Sequence, residues 1–312
     1  MRDNFGAYTV ENYGYDKFAH LVGFYDGLGR GGFGLSEKET RFLRVKLSRP
    51  GYDPEKDLFL LSDSNGVIAF FDTIPEPGID RVVVNFQVRR EDRFADAAGA
   101  LMGPCLNRCS ELKARRIHVC LDEEDHAGQL FFKNSGFTRV RTFFELKADL
   151  RERRESVDDP DLRMCASFAA GDDAYLQKLQ NGIFSGSWGF CPNTVEEIEY
   201  YLALTATKIE DILLLREKDD LLGYSWAHES LASGDTLKTA RIHMFGIKKK
   251  FRGRGLGRKL LNLSLDALQS LGFRTVELTV DAQNKPACAL YAALGFRVQS
   301  RCLWFEKQLT RY

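Results

Sequence analysis

Short runs of hydrophobic residues along the chain predict strands, and each half of the sequence contains two such runs joined by a tight turn. In the first half, the runs at 58–61 and 67–71 flank the turn residues 64–66, Ser-Asn-Gly, which are typical of a β-hairpin. In the second half, the runs at 212–215 and 221–226 are separated by a charged turn. The hydrophobic pattern therefore predicts one β-hairpin in each half.

The elements after the hairpin also follow the same order in both halves. A strand at 82–88 or 242–247 is followed by a helical stretch, a buried strand at 117–121 or 276–280, and a second helical stretch. Both halves then close on a Gly-Phe pair, and one constant offset aligns the two halves without a gap from residue 82 onward. This joint agreement predicts a duplicated domain.

A polar segment lies between the two halves. Residues 151–160 have little apolar content beyond Val157 and are typical of a linker. We therefore expect an N-terminal domain over residues 1–150 and a C-terminal domain over residues 161–312. The mixed order of strands and helices predicts the α/β (α+β) class, with a mostly antiparallel mixed sheet flanked by helices in each domain.

Composition and charge exclude several classes of protein. The 44 Lys and Arg residues balance the 44 Asp and Glu residues, which argues against a surface built to hold nucleic acid or an acidic membrane. No apolar run approaches the roughly 20 residues that span a bilayer, and the first residues lack the apolar core of a signal peptide. The seven cysteines include no Cys-x-x-Cys pair and the five histidines have no ligand spacing. We expect a cytoplasmic protein with reduced thiols, no metal site and no membrane partner.

The most informative segment follows the strand at 242–247. Residues 252–257 read Arg-Gly-Arg-Gly-Leu-Gly and lead directly into an amphipathic helical stretch at 258–271. A strand, a glycine-rich turn and a helix N-terminus together place unpaired amides and a positive helix dipole at one point, which favours an anion. The glycine spacing fits neither the Rossmann fingerprint nor a P-loop.

The basic stretch at 248–259 leaves a second interpretation open, in which the protein associates with nucleic acid. No second basic patch with interleaved aromatic residues supports that interpretation.

The loop at 252–257 resembles the acyl-CoA pyrophosphate loop of the GNAT superfamily, whose pattern is Gln/Arg-x-x-Gly-x-Gly/Ala. Asn284 and the run at 289–296, Ala-Leu-Tyr-Ala-Ala-Leu-Gly-Phe, resemble the closing helix and the start of the last strand of that family. The resemblance covers residues 161–312 well and the first half in outline. Tandem GNAT proteins, mycothiol synthase among them, have such an arrangement.

This resemblance implies an acetyl-CoA-dependent N-acetyltransferase. The acetyl group would pass to a primary amine of a small molecule or peptide by direct attack in a ternary complex. A module that binds acyl-CoA without turnover is the alternative. The acceptor, the acyl chain preference and the oligomeric state stay open.

The resemblance also implies the residues that bind the cofactor. They are Phe245, Gly246, Ile247, Arg252, Gly253, Arg254, Gly255, Leu256, Gly257, Arg258, Asn284 and Tyr291. The Tyr291 phenol would protonate the departing thiolate, and a backbone amide at 245–247 would stabilise the oxyanion. Asn284 would hold the cofactor or the loop, or it would only cap the helix that begins near Pro286.

The general base does not follow from the resemblance. Many GNAT enzymes, mycothiol synthase among them, carry a Glu at the position occupied here by Arg241. His243 stands two residues further along, on the same face of the strand, and is our first candidate for the base. A half-buried histidine that only packs is the alternative, and His228 with Glu229 are the reserve candidates.

Two further sequence features concern the acceptor and the thiols. Trp188 and Phe190 lie where the family's acceptor loop lies, so they favour an acceptor with an apolar part, or a loop that is merely plugged by its aromatic residues. Cys288 stands one helical turn before Tyr291 and is interpreted as an ordinary thiol.

The first copy has lost the residues that a pyrophosphate requires. The constant offset places Phe94 opposite Gly253, Asp96 opposite Gly255 and Phe132 opposite Tyr291. A ring and a carboxylate thus replace small residues, which predicts a degenerate N-terminal copy. Its expected role is structural: it would pack against the second copy, with a wall of the acceptor pocket as a further possible contribution.

Overall fold

The computed structural model describes residues 8–28, 35–89, 94–151, 164–165, 168–217, 220–230 and 238–309. The chain forms two compact units, of which unit 1 comprises Met1–Arg141 and Cys302–Tyr312, and unit 2 comprises Thr142–Arg301. Of the predicted linker at 151–160, residues 152–160 lie outside the described residues.

Unit 1 contains the elements of the first copy together with the end of the chain. Its strands are β1 (Thr9–Asn12), β2 (Leu58–Asp63), β3 (Gly66–Glu76), β4 (Arg81–Val88) and β5 (Arg116–Asp122). Its helices are α1 (Phe18–Asp26), α2 (Glu37–Lys46), α3 (Pro54–Asp57), α4 (Phe94–Glu111) and α5 (His126–Asn134). The sheet order is β1-β2-β3-β4-β5-β12, where β12 (Arg297–Gln308) is the last strand of the chain. β4 and β5 run parallel, and the other neighbouring strands run antiparallel.

Alternation along β2 explains why helices cover both faces of the unit 1 sheet. Leu60 packs in one cluster with Phe24 of α1. Its neighbour Leu61 points to the opposite face and packs in another cluster, with Leu101 of α4 and Phe132 of α5.

Unit 2 repeats this architecture. Its strands are β6 (Thr138–Asp149), β7 (Met164–Cys165), β8 (Leu213–Glu217), β9 (Asp220–Glu229), β10 (Thr239–Ile247) and β11 (Thr275–Asp281). Its helices are α6 (Asp173–Phe184), α7 (Val195–Thr205), α8 (Leu256–Ser270) and α9 (Lys285–Ala293). The sheet order is β6-β11-β10-β9-β8-β7, with β10 and β11 parallel and the other neighbouring strands antiparallel.

The two faces of the unit 2 sheet carry different helices. Leu214 packs with Leu176 of α6 and Ile198 of α7, whereas the next residue, Leu215, packs with Leu260 of α8. Helices therefore flank a mixed, mostly antiparallel sheet in each unit, and the predicted fold class is confirmed.

The closing strands are exchanged between the two copies. Residues 302–308 of β12 pair with β5 of unit 1, although they end the second copy. Residues 143–149 of β6 pair with β11 of unit 2, although they end the first copy. The structural units therefore differ from the division at 1–150 and 161–312 that we expected, because each sheet takes its closing strand from the other half of the sequence.

The parallel pairing between β10 and β11 is short. It joins Thr239, Ala240 and Arg241 to residues 275–277 and ends there, although β10 continues to Ile247 and β11 to Asp281. Beyond Arg241 no residue of β10 pairs with a described residue of β11, and we call this unpaired stretch the gap. Along the gap, the edge of β10 that faces β11 has backbone groups available to an extended ligand.

None of the helices in the described ranges is both long enough and apolar enough to cross a membrane.

The strand exchange predicts which unit each closing strand stabilises. Phe305 is fully buried in the unit 1 core and Leu146 is buried in the unit 2 core. Phe305→Ala and Leu146→Ala should each cost about 2–5 kcal/mol through the cavity that they leave. Amide hydrogen exchange should show that Phe305→Ala loosens β2–β5, and that Leu146→Ala, the matched control, loosens β8–β11. Loss of protection in β8–β11 alone on Phe305→Ala would contradict the exchange.

Candidate active site

A β-bulge in β10 shapes the region next to the gap. The register with β9 shifts between Ile242 and Met244, which leaves His243 as the extra residue. Met244 and His243 both face the α6/α7 side of the sheet. Met244 packs against the hydrophobic cluster that contains Trp226 and residues of α6 and α7, and the His243 ring lies 4.9 Å from the ring of Trp226. Ile242 packs on the α8/α9 side instead.

The predicted glycine-rich loop forms the turn between β10 and α8. Gly253 and Gly255 adopt φ values of 81° and 74°, a region that side chains rarely enter, and Gly255 is the N-cap of α8. The amide N–H groups of residues 253–257 have no hydrogen-bond partner in the described part of the chain. Five unpaired amides at a helix N-terminus form a site for an anion such as a diphosphate.

Among these loop glycines, Gly257 lies next to α9 with room for ordinary van der Waals contact. A methyl group at this position would lie 3.4 Å from a side-chain carbon of Leu290 on α9. Leu256, in contrast, is buried in the cluster formed with Leu260 and anchors the first turn of α8.

The three arginines of the loop have different surroundings. The Arg252 guanidinium donates to the carbonyl oxygens of Ile247 and Ile183, each at 3.0 Å, and so ties the end of β10 to α6. Arg254 donates to both carboxylate oxygens of Glu217, at 2.9 and 3.0 Å. Arg258 is exposed in the first turn of α8 and forms no ion pair with a described residue. Arg252 therefore positions the loop, and Arg258 is the arginine available to a ligand.

Close packing brings α6 against β10. A methyl group added to Gly246 would lie 2.4 Å from Ile183 Cγ2, so only glycine allows this approach. Phe245 points to the other face and its ring lies 6.3 Å from that of Tyr291. Ile247 packs beside Phe245 in the cluster with Leu256.

Tyr291 lies on α9 and is 7% exposed. Burial, and after it the neighbouring Cys288 thiol, raise the pKa of the Tyr291 phenol above its usual value. Its hydroxyl forms no hydrogen bond to a described residue. The phenol therefore stays protonated near neutral pH and can donate a proton or a hydrogen bond.

Asn284 and Cys288 have local roles. The Asn284 side-chain oxygen accepts from the Ala287 amide at 3.3 Å and caps α9, which is the capping interpretation given above. Burial raises the pKa of the Cys288 thiol, whose Sγ lies 3.6 Å from the Asp281 carbonyl oxygen. A raised pKa disfavours the thiolate, as expected for an ordinary thiol.

His243 is surrounded by rings. Its imidazole lies 5.6 Å from the ring of Tyr201 and 5.8 Å from that of His228. Burial, followed by the charges of His228 and Arg241, lowers the pKa of His243 to about 3. His243 is therefore neutral at every pH near physiological values and keeps a free lone pair.

The reserve candidates lie at the end of β9. His228 pairs with Arg241 in the register, and its Nδ1 donates to the Glu229 carbonyl oxygen at 2.9 Å. His228 is thus oriented beside His243, whereas Glu229 pairs with Ala240 on the opposite face.

Arg241 is the centre of a polar network that the sequence did not indicate. Its guanidinium donates to Glu145 at 3.1 Å, to Glu277 at 3.2 Å and to the Thr279 hydroxyl at 2.5 Å. Thr279 in turn donates to Glu145 at 2.6 Å. The alternation of side chains along β6 and β11 places these residues on one face. The sequence could not show that they meet, because it does not show that β6 pairs with β11.

The loop with Trp188 and Phe190, which the sequence predicts to lie beside the acceptor, contacts the same face through Trp188. The Trp188 ring lies 5.8 Å from that of Phe143 on β6, and the Phe190 ring lies 5.7 Å from that of Phe184. Trp188 therefore forms an apolar wall near the polar network, and Phe190 packs on the end of α6.

The first copy fills the corresponding loop with aromatic side chains. Phe94, the counterpart of Gly253, begins α4 and is 8% exposed. Its ring lies 4.8 Å from that of Phe86 and 6.0 Å from that of Phe131. Asp96 adds a carboxylate to the same first turn. Among the described residues, these side chains occupy the start of α4, where the second copy has its loop glycines.

Comparison with known proteins finds a family match in the second half of the chain. The family model described as "Acetyltransferase (GNAT) family" matches residues 174–296. This segment contains the bulge, the glycine loop, Asn284 and Tyr291.

Curated relatives extend the likeness beyond this segment. The mycothiol acetyltransferase of Acidothermus cellulolyticus is 28% identical over 209 residues, which is 62% of this chain and 62% of that protein. The mycothiol acetyltransferase of Mycobacterium marinum is 25% identical over 286 residues, 85% of this chain and 82% of that protein. The chain thus spans about three fifths of the first relative and four fifths of the second.

A solved structure shows the same fold over the whole chain. The tandem GNAT protein from the clavulanic acid biosynthesis pathway superimposes with a TM-score of 0.72 and 13% identity, covering 98% of this chain and 100% of that one.

The low pKa of His243 predicts how stability depends on pH. The unfolded histidine takes up a proton below about pH 6.5, whereas the folded one stays neutral to about pH 3. Stability should therefore fall as the pH falls from 6.5 towards 3. In urea unfolding, His243→Gln should reduce this loss by at least about 1 kcal/mol between pH 6.5 and 4. The exposed His126→Gln is the control, and equal slopes in both variants would contradict the assignment.

The family match and the geometry agree on the second half of the chain, where the strand gap and the free loop amides lie within the matched residues. The first copy repeats the fold without the loop glycines. Residues 174–296 therefore match the GNAT family, and the whole chain is similar in fold to a tandem GNAT protein, with the loop glycines in the second copy.

Proposed function

We propose that the protein is an acetyl-CoA-dependent N-acetyltransferase that acts on the primary amine of a small molecule or peptide. One observation carries this proposal: the unpaired amides of the 253–257 loop and the unpaired edge of β10 adjoin each other in unit 2. A diphosphate fits the amides, and an extended arm continuing from it fits the strand edge. Acetyl-CoA has both parts and would supply the thioester carbon that the amine attacks.

The residues that would hold the cofactor follow from their positions. The amides of Gly253, Gly255, Leu256 and Gly257, with Arg258 beside them, bind the diphosphate. Phe245, Gly246 and Ile247 present the backbone of β10 to the arm, and one of their amides stabilises the oxyanion. Arg252 and Arg254 shape the loop through Ile247 and Glu217. Asn284 caps α9 and so fixes the position of Tyr291.

The general acid and the general base would lie on opposite faces of β10. Tyr291 lies on the α8/α9 face, where its raised pKa keeps the proton that the departing sulfur requires. His243 lies on the α6/α7 face, where the acceptor approaches, and its neutral imidazole accepts a proton from the amine. Because its pKa is about 3, His243 passes this proton on to solvent or to a neighbouring group and does not retain it.

The first copy would have a structural role. Phe94 covers the start of α4 and Phe132 replaces the phenol, so neither the anion site nor the acid is present there. Its contribution to unit 2 is β6, which completes the sheet beside β11.

Cofactor binding should depend on the second loop alone. Gly255→Asp places a carboxylate at the diphosphate site, where like charges about 4 Å apart repel by about 4 kcal/mol at an effective dielectric of 20. Isothermal titration with acetyl-CoA should show a loss of affinity of at least about 100-fold. Asp96→Gly, the reciprocal change in the first copy, should leave affinity unchanged. Binding that survives Gly255→Asp, or that responds to Asp96→Gly, would overturn the proposed site.

The role of Tyr291 can be separated from cofactor binding. Removal of a general acid typically costs about 100-fold or more in turnover. Tyr291→Phe should therefore lower the rate of thiol release by at least about tenfold across an amine panel, with acetyl-CoA affinity retained. Tyr175→Phe, at a tyrosine that is 42% exposed on α6, controls for the loss of a phenol elsewhere. An unchanged rate would remove Tyr291 from the mechanism, and no thiol release with any amine would indicate a binding module.

A further inference from the structure

The polar network on the α6/α7 face lies where β10 and β11 separate. Arg241 is in the last paired position of β10, opposite Glu277, and Thr279 is the next residue of β11 on the same face. The register with β6 places Glu145 opposite Thr279 and Phe143 opposite Asp281. Glu145 therefore lies at the level where the gap begins.

Two hydrogen bonds orient the Glu145 carboxylate and leave some of its acceptor positions open. One oxygen accepts from Arg241 and the other from Thr279, and the side chain is 26% exposed. A carboxylate offers about four acceptor positions, so at least one further donor can bind without displacing these partners. The donor that gains most at an ionised carboxylate is a cationic N–H group.

The charges around Glu145 favour a cation. Where β6 pairs with β11, this face carries the carboxylates of Glu145, Asp149, Glu277 and Asp281 against Lys147 and, from β10, Arg241; Arg141 lies further along β6, beyond Phe143. Lys147 stands opposite Glu277, on the side away from the gap. Glu277 is further occupied by the Ser230 hydroxyl at 2.6 Å. His243 adds no charge there, because burial, followed by the charges of His228 and Arg241, keeps it neutral.

An apolar surface adjoins this carboxylate. Phe143 lies two residues before Glu145 on the same face of β6, and its ring contacts that of Trp188. An amine with an apolar body can thus place its ammonium group on Glu145 and its body against these rings.

We infer that Glu145, on the strand supplied by the first copy, binds the acceptor's ammonium group and selects cationic amines that carry no carboxylate beside the amine. This inference rests on the proposed function for the reaction that follows binding. It makes Glu145 a specificity-determining residue. It also gives the first copy a part in the site of the second.

The test compares three ligands of one skeleton: 2-phenylethylamine, L-phenylalaninol and L-phenylalanine. Phenylalaninol has the bulk of the amino acid with a neutral hydroxymethyl group in place of the carboxylate. Isothermal titration into the protein saturated with CoA measures their binding without turnover. The wild type should bind the first two at least about tenfold more tightly than L-phenylalanine.

Two variants test whether Glu145 causes the preference for amines that lack a carboxylate. Glu145→Gln keeps the shape of the side chain and removes its charge, so the preference should fall to about threefold or less. Asp149→Asn removes a charge from the same strand, at an aspartate paired with Arg151, and should retain the preference. Thermal unfolding confirms that both variants fold.

The outcomes separate the inference from the proposed function. Binding of L-phenylalanine as tight as that of phenylalaninol, an unchanged preference in Glu145→Gln, or no binding of any of the amines overturns the inference. Failure of CoA to bind overturns the proposed function instead. In that case the same titrations on the protein alone still measure the preference that depends on Glu145.

Discussion

The early end of the pairing between β10 and β11 is the constraint on which the rest of the second unit depends. Three residues of β10 pair in parallel with β11, and the remainder pairs, among the described strands, with β9. Unsatisfied backbone groups are costly when they are buried, so an opened strand edge persists where a ligand or solvent can satisfy it. The bulge at His243, the tight approach at Gly246 and the turn into α8 all lie along this opened length.

The two faces of β10 provide different electrostatic environments. On the α8/α9 face, apolar burial raises the pKa of the Tyr291 phenol and keeps it protonated. On the α6/α7 face, burial acts on a base and lowers the pKa of His243, so the same physical cause keeps that group neutral. The same face carries the ionised Arg241 network, in which Glu145 and Glu277 have hydrogen-bond partners. A proton donor and a proton acceptor are therefore available on opposite sides of one strand.

Local sequence patterns predicted much of this arrangement. The hairpins, the duplication and the glycine loop follow from turn residues and hydrophobic period, and Arg241 and His243 share a face as their spacing indicated. The exchange of β6 and β12 could not be predicted, because a period of two defines the faces of a strand but not its neighbours. Glu145 was missed for this reason. The roles of Arg252 and Arg254 depend on Ile183 and Glu217, which are distant in sequence.

The exchange of closing strands limits how the two copies of the duplicated domain can diverge. Once each copy closed the other's sheet, loss of either copy would have left an open edge and an incomplete core in the survivor. Selection could then relax on the loop of the first copy, where a phenylalanine and an aspartate now stand, while still preserving its final strand. The most constrained positions of the first copy are accordingly expected to lie at its end, in the dozen residues of β6.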